Sequence, residues 1–213
     1  MRRLSTRGWL AVAVCTAWLA AAPHARAGIV YDEAVSGDLS GNGLSPTLIT
    51  LDVGSNQIFG VTGRVFIPPT FLGPDRDYFT VTIPTGYAFV ALFELAGTTV
   101  NNQISFLGIQ GGTQVTVPTS AVSAEGLLGW THYVAASVDT NILAAVGAGA
   151  SGATGFVPPL PAGPYAFWIQ DTGDGVARYG FDIVVALPEP GVAASLLLGC
   201  FALGLSRVLG PRG

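Results

Sequence analysis

An all-β fold, an antiparallel β-sandwich, is the class this sequence predicts, and three observations predict it. Apolar and polar residues alternate with a period of two in segment after segment between residues 47 and 186, the spacing that gives a strand one buried and one wet face. Gly, Pro, Asn and Asp punctuate those segments where a chain turns, whereas a 3.6-residue apolar period is nearly missing. Only 10% of the residues are charged, against ~25% in typical soluble domains, so much of the surface must be Thr, Ser, Asn, Gln and Gly.

The elements follow in order. Arg2, Arg3 and Arg7 precede an apolar run over residues 9–22, and Ala25-Arg26-Ala27 supplies the small residues that signal peptidase requires. Cleavage is expected between Ala27 and Gly28, so the chain is read as exported. Residues 47–53 (TLITLDV) alternate and are rich in β-branched side chains, and Gly54-Ser55-Asn56 turns them into 57–65, a predicted hairpin. Residues 77–83 set Tyr78, Thr80 and Thr82 on one face and Phe79, Val81 and Ile83 on the other; Pro84-Thr85-Gly86 then leads into a strand at 87–95. Short strands are expected at 103–107 and 113–117.

Residues 120–162 interrupt the pattern. Residues 127–133 fit either a helical turn or a buried strand, and 141–146 a short helix capped after Asp139-Thr140. A Gly/Ala/Ser loop at 147–155 and the stiff Pro158-Pro159-Leu160-Pro161 return complete a long insertion. Strands at 163–171 and 179–186, joined by a Gly-Asp-Gly loop, close the domain. About eight strands result, and the chain divides into a leader (1–27), one domain (28–186) and a tail (187–213).

The tail carries the most specific signal. Pro188-Glu189-Pro190 is followed by an apolar run, with no charge between Glu189 and Arg207. The 17 residues 190–206 would span roughly 25 Å as a transmembrane helix, a little short of a ~30 Å hydrocarbon core. The two prolines hold Glu189 in extended backbone just outside the membrane. The triplet, the apolar stretch and Arg207 with Arg212 together resemble a PEP-CTERM sorting signal, the C-terminal element of many Gram-negative surface proteins that accompany exopolysaccharide. That resemblance implies recognition by an exosortase-type membrane enzyme, cleavage near the triplet, and delivery to the cell surface or extracellular matrix after a transient membrane stage. Here Val208 to Pro211 separate the two arginines, where the family shows a compact basic cluster.

The body carries a second resemblance. An acidic Gly-Asp-Leu-Ser start at 37–40, GSNQIFG at 54–60, DRDYFTVTIPTG at 75–86, GPYAFWIQ at 163–170 and YGFD at 179–182 occur in that order. The set resembles the bacterial pre-peptidase C-terminal domain, a jelly-roll-like β-sandwich. What this implies is a non-catalytic module for polymer contact or secretion, in some members with bound calcium.

Charge and composition exclude several functions. Residues 28–186 hold three arginines, no lysine and twelve carboxylates, a net charge of −9 that repels nucleic acid. Cys15 and Cys200 lie in the leader and the tail, so the body stands without disulfides and must rely on core burial. His132 is the body's one histidine, and alone it cannot supply a zinc site. Serines and aspartates are available for a triad, but no serine sits in a G-x-S-x-G elbow, and a packed structural role beside Trp130 and Tyr133 is the favoured reading. No catalytic residue is assigned, and a secreted hydrolase ranks third among the functions considered. Asp75 and Asp77 before one strand, and Asp171 and Asp174 between the last two, are read first as turn caps and second as calcium ligands, since calcium takes six to eight oxygens. Trp168 on the more polar face of its strand, with Trp130 and Tyr133 in the insertion, forms a candidate sugar-stacking set, although core packing is the ordinary role of each. The function expected is that of an exported, non-catalytic matrix protein; the alternative is a calcium- or glycan-binding module. No cofactor is required, and the partners are signal peptidase, the exosortase-type enzyme and exopolysaccharide.

Overall fold

Alternation along the strands sorts side chains onto two facing sheets in the computed structural model, which describes residues 27–188 apart from 65, 68–69, 72–73, 102–104, 122 and 150–151. The strands are β1 (Gly28–Asp32), β2 (Thr47–Leu48), β3 (Gly54–Arg64), β4 (Phe66–Ile67), β5 (Thr70–Phe71), β6 (Arg76–Ile83), β7 (Ala88–Glu94), β8 (Ser105–Gly111), β9 (Gly129–Thr131), β10 (Gly163–Asp171) and β11 (Gly175–Ala186). Among the described residues there are also two short helices, α1 (Glu33–Ser36) and α2 (Leu143–Ala148), and a 3-10 turn at Ala135–Ser137. One sheet runs β1-β3-β11-β7, the other β2-β6-β10-β8-β9, and β4 pairs with β5 alone. The all-β, two-sheet expectation stands.

The core is what the alternation predicts. Phe79, Val81 and Ile83 of β6 face Ile58 of β3 and Phe181, Ile183 and Val185 of β11 across one cluster. Phe79 and Phe167 stack at 4.7 Å, and Phe89 leans on Phe167 at 6.1 Å. Each such side chain, fully buried, contributes roughly 1.5–3 kcal/mol. The insertion adds its own share: Leu143 and Val146 of α2 and Tyr133 join this core, and Asn141 Oδ1 accepts the amides of Leu92 and Leu143, fastening the start of α2 to β7.

The structure departs from expectation in three places. Residues 47–53 and 57–65 form no hairpin: β2 belongs to the five-stranded sheet beside β6, and β3 to the other. The turn between them therefore crosses from sheet to sheet. The sandwich is not purely antiparallel, because β1 runs parallel to β3 and β2 parallel to β6 at the sheet edges. Residues 113–117 are not a strand; they lie over the outer face of the five-stranded sheet, where Val115, Val117 and Leu127 pack on Tyr78, Ala166 and Trp168. Of the two readings of 127–133, the strand is the one formed, as β9.

Candidate functional site

The pleat that builds the core also carries polar groups to one end of it. The inward row of β6 continues from Phe79 to Asp77, that of β11 from Phe181 to Tyr179, that of β3 from Ile58 to Thr62, and that of β7 from Leu92 to Glu94. Asp77, Glu94 and Tyr133 are all 0% exposed, and Thr62 and Tyr179 2%. Tyr179 lies across from Gly60 in the β11–β3 register. A Cβ at Gly60 would come within 2.8 Å of Tyr179 Cε1 and closer still to its hydroxyl, so the glycine makes room for the ring. The Tyr179 hydroxyl then donates to Asp77 Oδ2 at 2.8 Å.

Sequence-local structure brings two more carboxylates to this end. Asp32 caps α1 by accepting the Ala34 amide at 3.0 Å. The following Glu33 accepts the Leu39 amide on one oxygen (3.0 Å) and the Val61 amide on the other (2.7 Å), tying the 33–39 loop to β3. Glu33, exposed Asp38 and buried Asp77 each place one carboxylate oxygen within 4.8 Å of the others. Asp77 Oδ1 has no hydrogen-bond partner among the described residues.

The electrostatics follow from this crowding. Burial, reinforced by the charge of Glu33, pushes the Asp77 carboxyl up to about 9, and the Tyr179 hydrogen bond only partly offsets it. Burial likewise raises Glu33 and Asp75, with Asp38 adding repulsion to both. Glu94, approached by the Ser137 hydroxyl and the Val134 amide without a well-formed hydrogen bond to either, is pushed up to about 7 by burial. Tyr133 and Tyr179 are raised above the usual phenol range by burial first. Asp77 at neutral pH therefore holds a proton, unless a cation takes its place.

The aspartates singled out from the sequence do not converge. Asp77 joins Glu33 and Asp38, whereas half-buried Asp75 stays outside that trio. Asp171 spends both oxygens on backbone amides, from Asn101 at 2.8 Å and Gly173 at 2.7 Å, which is turn capping. Asp174 is exposed in the same loop. Among the described residues the trio is the one group of metal-ligating side chains close enough to share an ion. Three carboxylate oxygens so placed have the donor chemistry that a hard divalent cation takes, and such an ion would neutralise their mutual repulsion. Sequence reading missed Glu33, Asp38 and Glu94 as site residues; the one available signal was the density of acidic residues in YDEAVSGD, which no periodicity ties to β6.

The aromatic set divides. Trp130 and Trp168 meet on the outer face of the five-stranded sheet, each in ring contact with Phe106, at 5.4 and 4.9 Å. Tyr133 does not join them: it lies past the end of β9 and is fully buried in the core, edge-on to Phe181 at 5.3 Å. His132 is exposed, with Nδ1 against the Ser105 carbonyl and its ring edge-on to Trp130 at 5.4 Å. At the ends of the domain, Ala27 and Gly28 are exposed, β1 begins at Gly28, and Pro188 is exposed two residues after β11 ends. Ala25, Glu189, Pro190 and Arg207 lie outside the described residues. Among the described residues no helix is long and apolar enough to cross a membrane.

Comparison with protein-family models, with curated proteins and with solved structures finds no match.

Proposed function

We propose that this chain is an exported, non-catalytic surface or extracellular-matrix protein, a jelly-roll-like module sorted through its tail by an exosortase-type enzyme and resident among exopolysaccharide. The observation that carries the reading is the Pro188-Glu189-Pro190 triplet with its uncharged run and Arg207. The fold is compatible with removal of both ends. β11 is an inner strand, paired with β3 on one side and β7 on the other, and it finishes at Ala186. Cleavage beyond Pro188 removes nothing from either sheet. Catalysis is not part of the reading, since His132 is engaged with Ser105 and Trp130 rather than with a nucleophile.

The test is the intact mass of the protein from native cells. The wild type should lack the leader and most of 190–213, and Glu189→Ala should stay full length and membrane-bound. Wild-type protein that still carries Arg212 would refute sorting and leave a plain C-terminal anchor.

A second reading, a calcium-stabilised module, is favoured by one observation. Asp77 Oδ1 is buried without a donor among the described residues, inside a cluster of three carboxylates, an arrangement that a proton or a divalent cation relieves.

A further inference from the structure

The outer face of the five-stranded sheet holds a pocket of about 350 Å³ between the strands and the 117–127 loop, at the small end of ligand-site volumes. Its origin is a gap in a cross-strand row. Tyr78, Trp168, Gly108 and Trp130 are successive register partners across β6, β10, β8 and β9. Three large aromatics flank one position without a side chain. A Cβ at Gly108 would meet the Phe106 ring at 2.9 Å and Leu127 Cδ1 at 3.1 Å, so Phe106 and Leu127 lean over the glycine and floor the space between the two tryptophans. Phe106 and Trp130 are half-buried and remain partly open, whereas Trp168 is buried at 6% exposed.

The pocket pairs its aromatic walls with a few polar side chains. Gln170 Oε1 accepts from Arg76 Nε at 3.0 Å and from Trp168 Nε1 at 3.2 Å. Both are donors only, so the amide orientation is fixed and its NH2 faces away from them. The indole N–H of Trp130 is buried and unpartnered among the described residues, a state that buried donors rarely keep without a ligand or water. Thr119 and Ser123 put hydroxyls on the lip, and no ionisable side chain lines the space, in a body whose net charge is −9.

We infer that this pocket binds a single neutral hexopyranose unit of a polysaccharide, its apolar ring face against Trp130 and Phe106 and a hydroxyl accepting from Gln170 Nε2. Aromatic walls alone would equally suit an acyl chain, but an acyl chain would pair with neither the Gln170 amide nor the Thr119 and Ser123 hydroxyls of the lining. A uronate or phosphorylated sugar would bring a charge that nothing in the lining answers. The inference rests on the proposed residence among exopolysaccharide and names its point of contact; it concerns the purified protein, so it stands or falls separately from cleavage of the tail.

Four tryptophans occur in the chain, two of them, Trp9 and Trp18, in the leader. The full-length Trp9→Phe, Trp18→Phe protein in a sugar-free detergent therefore emits only from Trp130 and Trp168. It is titrated with hexaoses of β-1,4-glucan, β-1,3-glucan, α-1,4-glucan and β-1,4-mannan, with hexagalacturonate and decanoate as charged and acyl controls. At least one neutral hexaose should shift the emission saturably. Trp130→Ala should weaken that binding about tenfold or more and Gln170→Ala about fivefold, within the range that one stacked ring and one hydrogen bond command. Ala121→Phe, introduced at an exposed position on the mouth, should block it with the melting temperature unchanged, which keeps the test open if Trp130→Ala fails to fold. The inference is overturned if no neutral hexaose shifts the emission, if decanoate or hexagalacturonate binds in their stead, or if Ala121→Phe binds as the wild type does.

Discussion

Replacing Asp77 by asparagine should make this protein more stable at neutral and alkaline pH, although it removes a hydrogen-bonded buried carboxylate. The carboxyl is raised to about 9 by burial and by Glu33. In the unfolded chain it returns to about 3.9. Between those values the folded state binds a proton that the unfolded state has lost, so stability is fully present below about pH 4 and falls as pH rises toward 9. Each pH unit costs about 1.4 kcal/mol per group, which gives on the order of 4 kcal/mol between pH 4 and pH 7. For a domain of about 160 residues that corresponds to a melting-temperature loss on the order of 10 °C. Glu33 and Asp75, also raised by burial, slope the same way.

Asparagine keeps an oxygen for the Tyr179 hydroxyl, which donates to Asp77 Oδ2 at 2.8 Å, and has no proton to lose. The assay is denaturant unfolding of the wild type and Asp77→Asn at pH 4.5, 6, 7.5 and 9 in chelator. The two should converge near pH 4.5 and separate by several kcal/mol at pH 7.5 and above, with the variant the more stable. A variant that follows the wild-type slope, or falls below the wild type at pH 9, would mean that Asp77 is ionised in the fold and that the crowding argument fails.

Two further outcomes follow from the same end of the sandwich. If calcium occupies the Glu33–Asp38–Asp77 trio, at a hundredfold excess over Kd it should stabilise the wild type by about 2.7 kcal/mol; the gain should appear at pH 8, vanish in Asp38→Asn, and not be reproduced by magnesium, as read by calorimetry. Gly60→Ala should cost about 3 kcal/mol in denaturant unfolding, because the new Cβ meets a Tyr179 ring that is 2% exposed and tied to Asp77; a loss below 0.5 kcal/mol would show that the ring can retreat.

Much of the fold was legible in the chain itself. The alternation at 77–83 and in 163–171 says which side chains face inward, and the burial of Phe79, Val81, Ile83, Tyr165, Phe167 and Ile169 follows it. The Asp and Gly residues of 171–175 read as a turn, and Asp171 caps one. A period of two fixes a residue's face from its immediate neighbours, without reference to the rest of the molecule. Composition likewise fixes the −9 charge of residues 28–186 and their lack of cysteine, and the Pro188-Glu189-Pro190 triplet with its uncharged run is legible whatever precedes it.

Partners were another matter. Nothing in residues 47–65 reveals that β2 and β3 belong to different sheets, since a turn that reverses a strand within a sheet and one that crosses between sheets use the same residues. Glu33, Asp38 and Asp77 meet because a parallel edge pairing lays the start of the chain along β3, while the inward row of β6 reaches the same end from the facing sheet. Trp130 and Trp168 share a pocket because Gly108 falls between them in register. Local pattern decides which way a side chain points; only strand order and register, set by the summed packing of residues far apart in sequence, decide what it meets there.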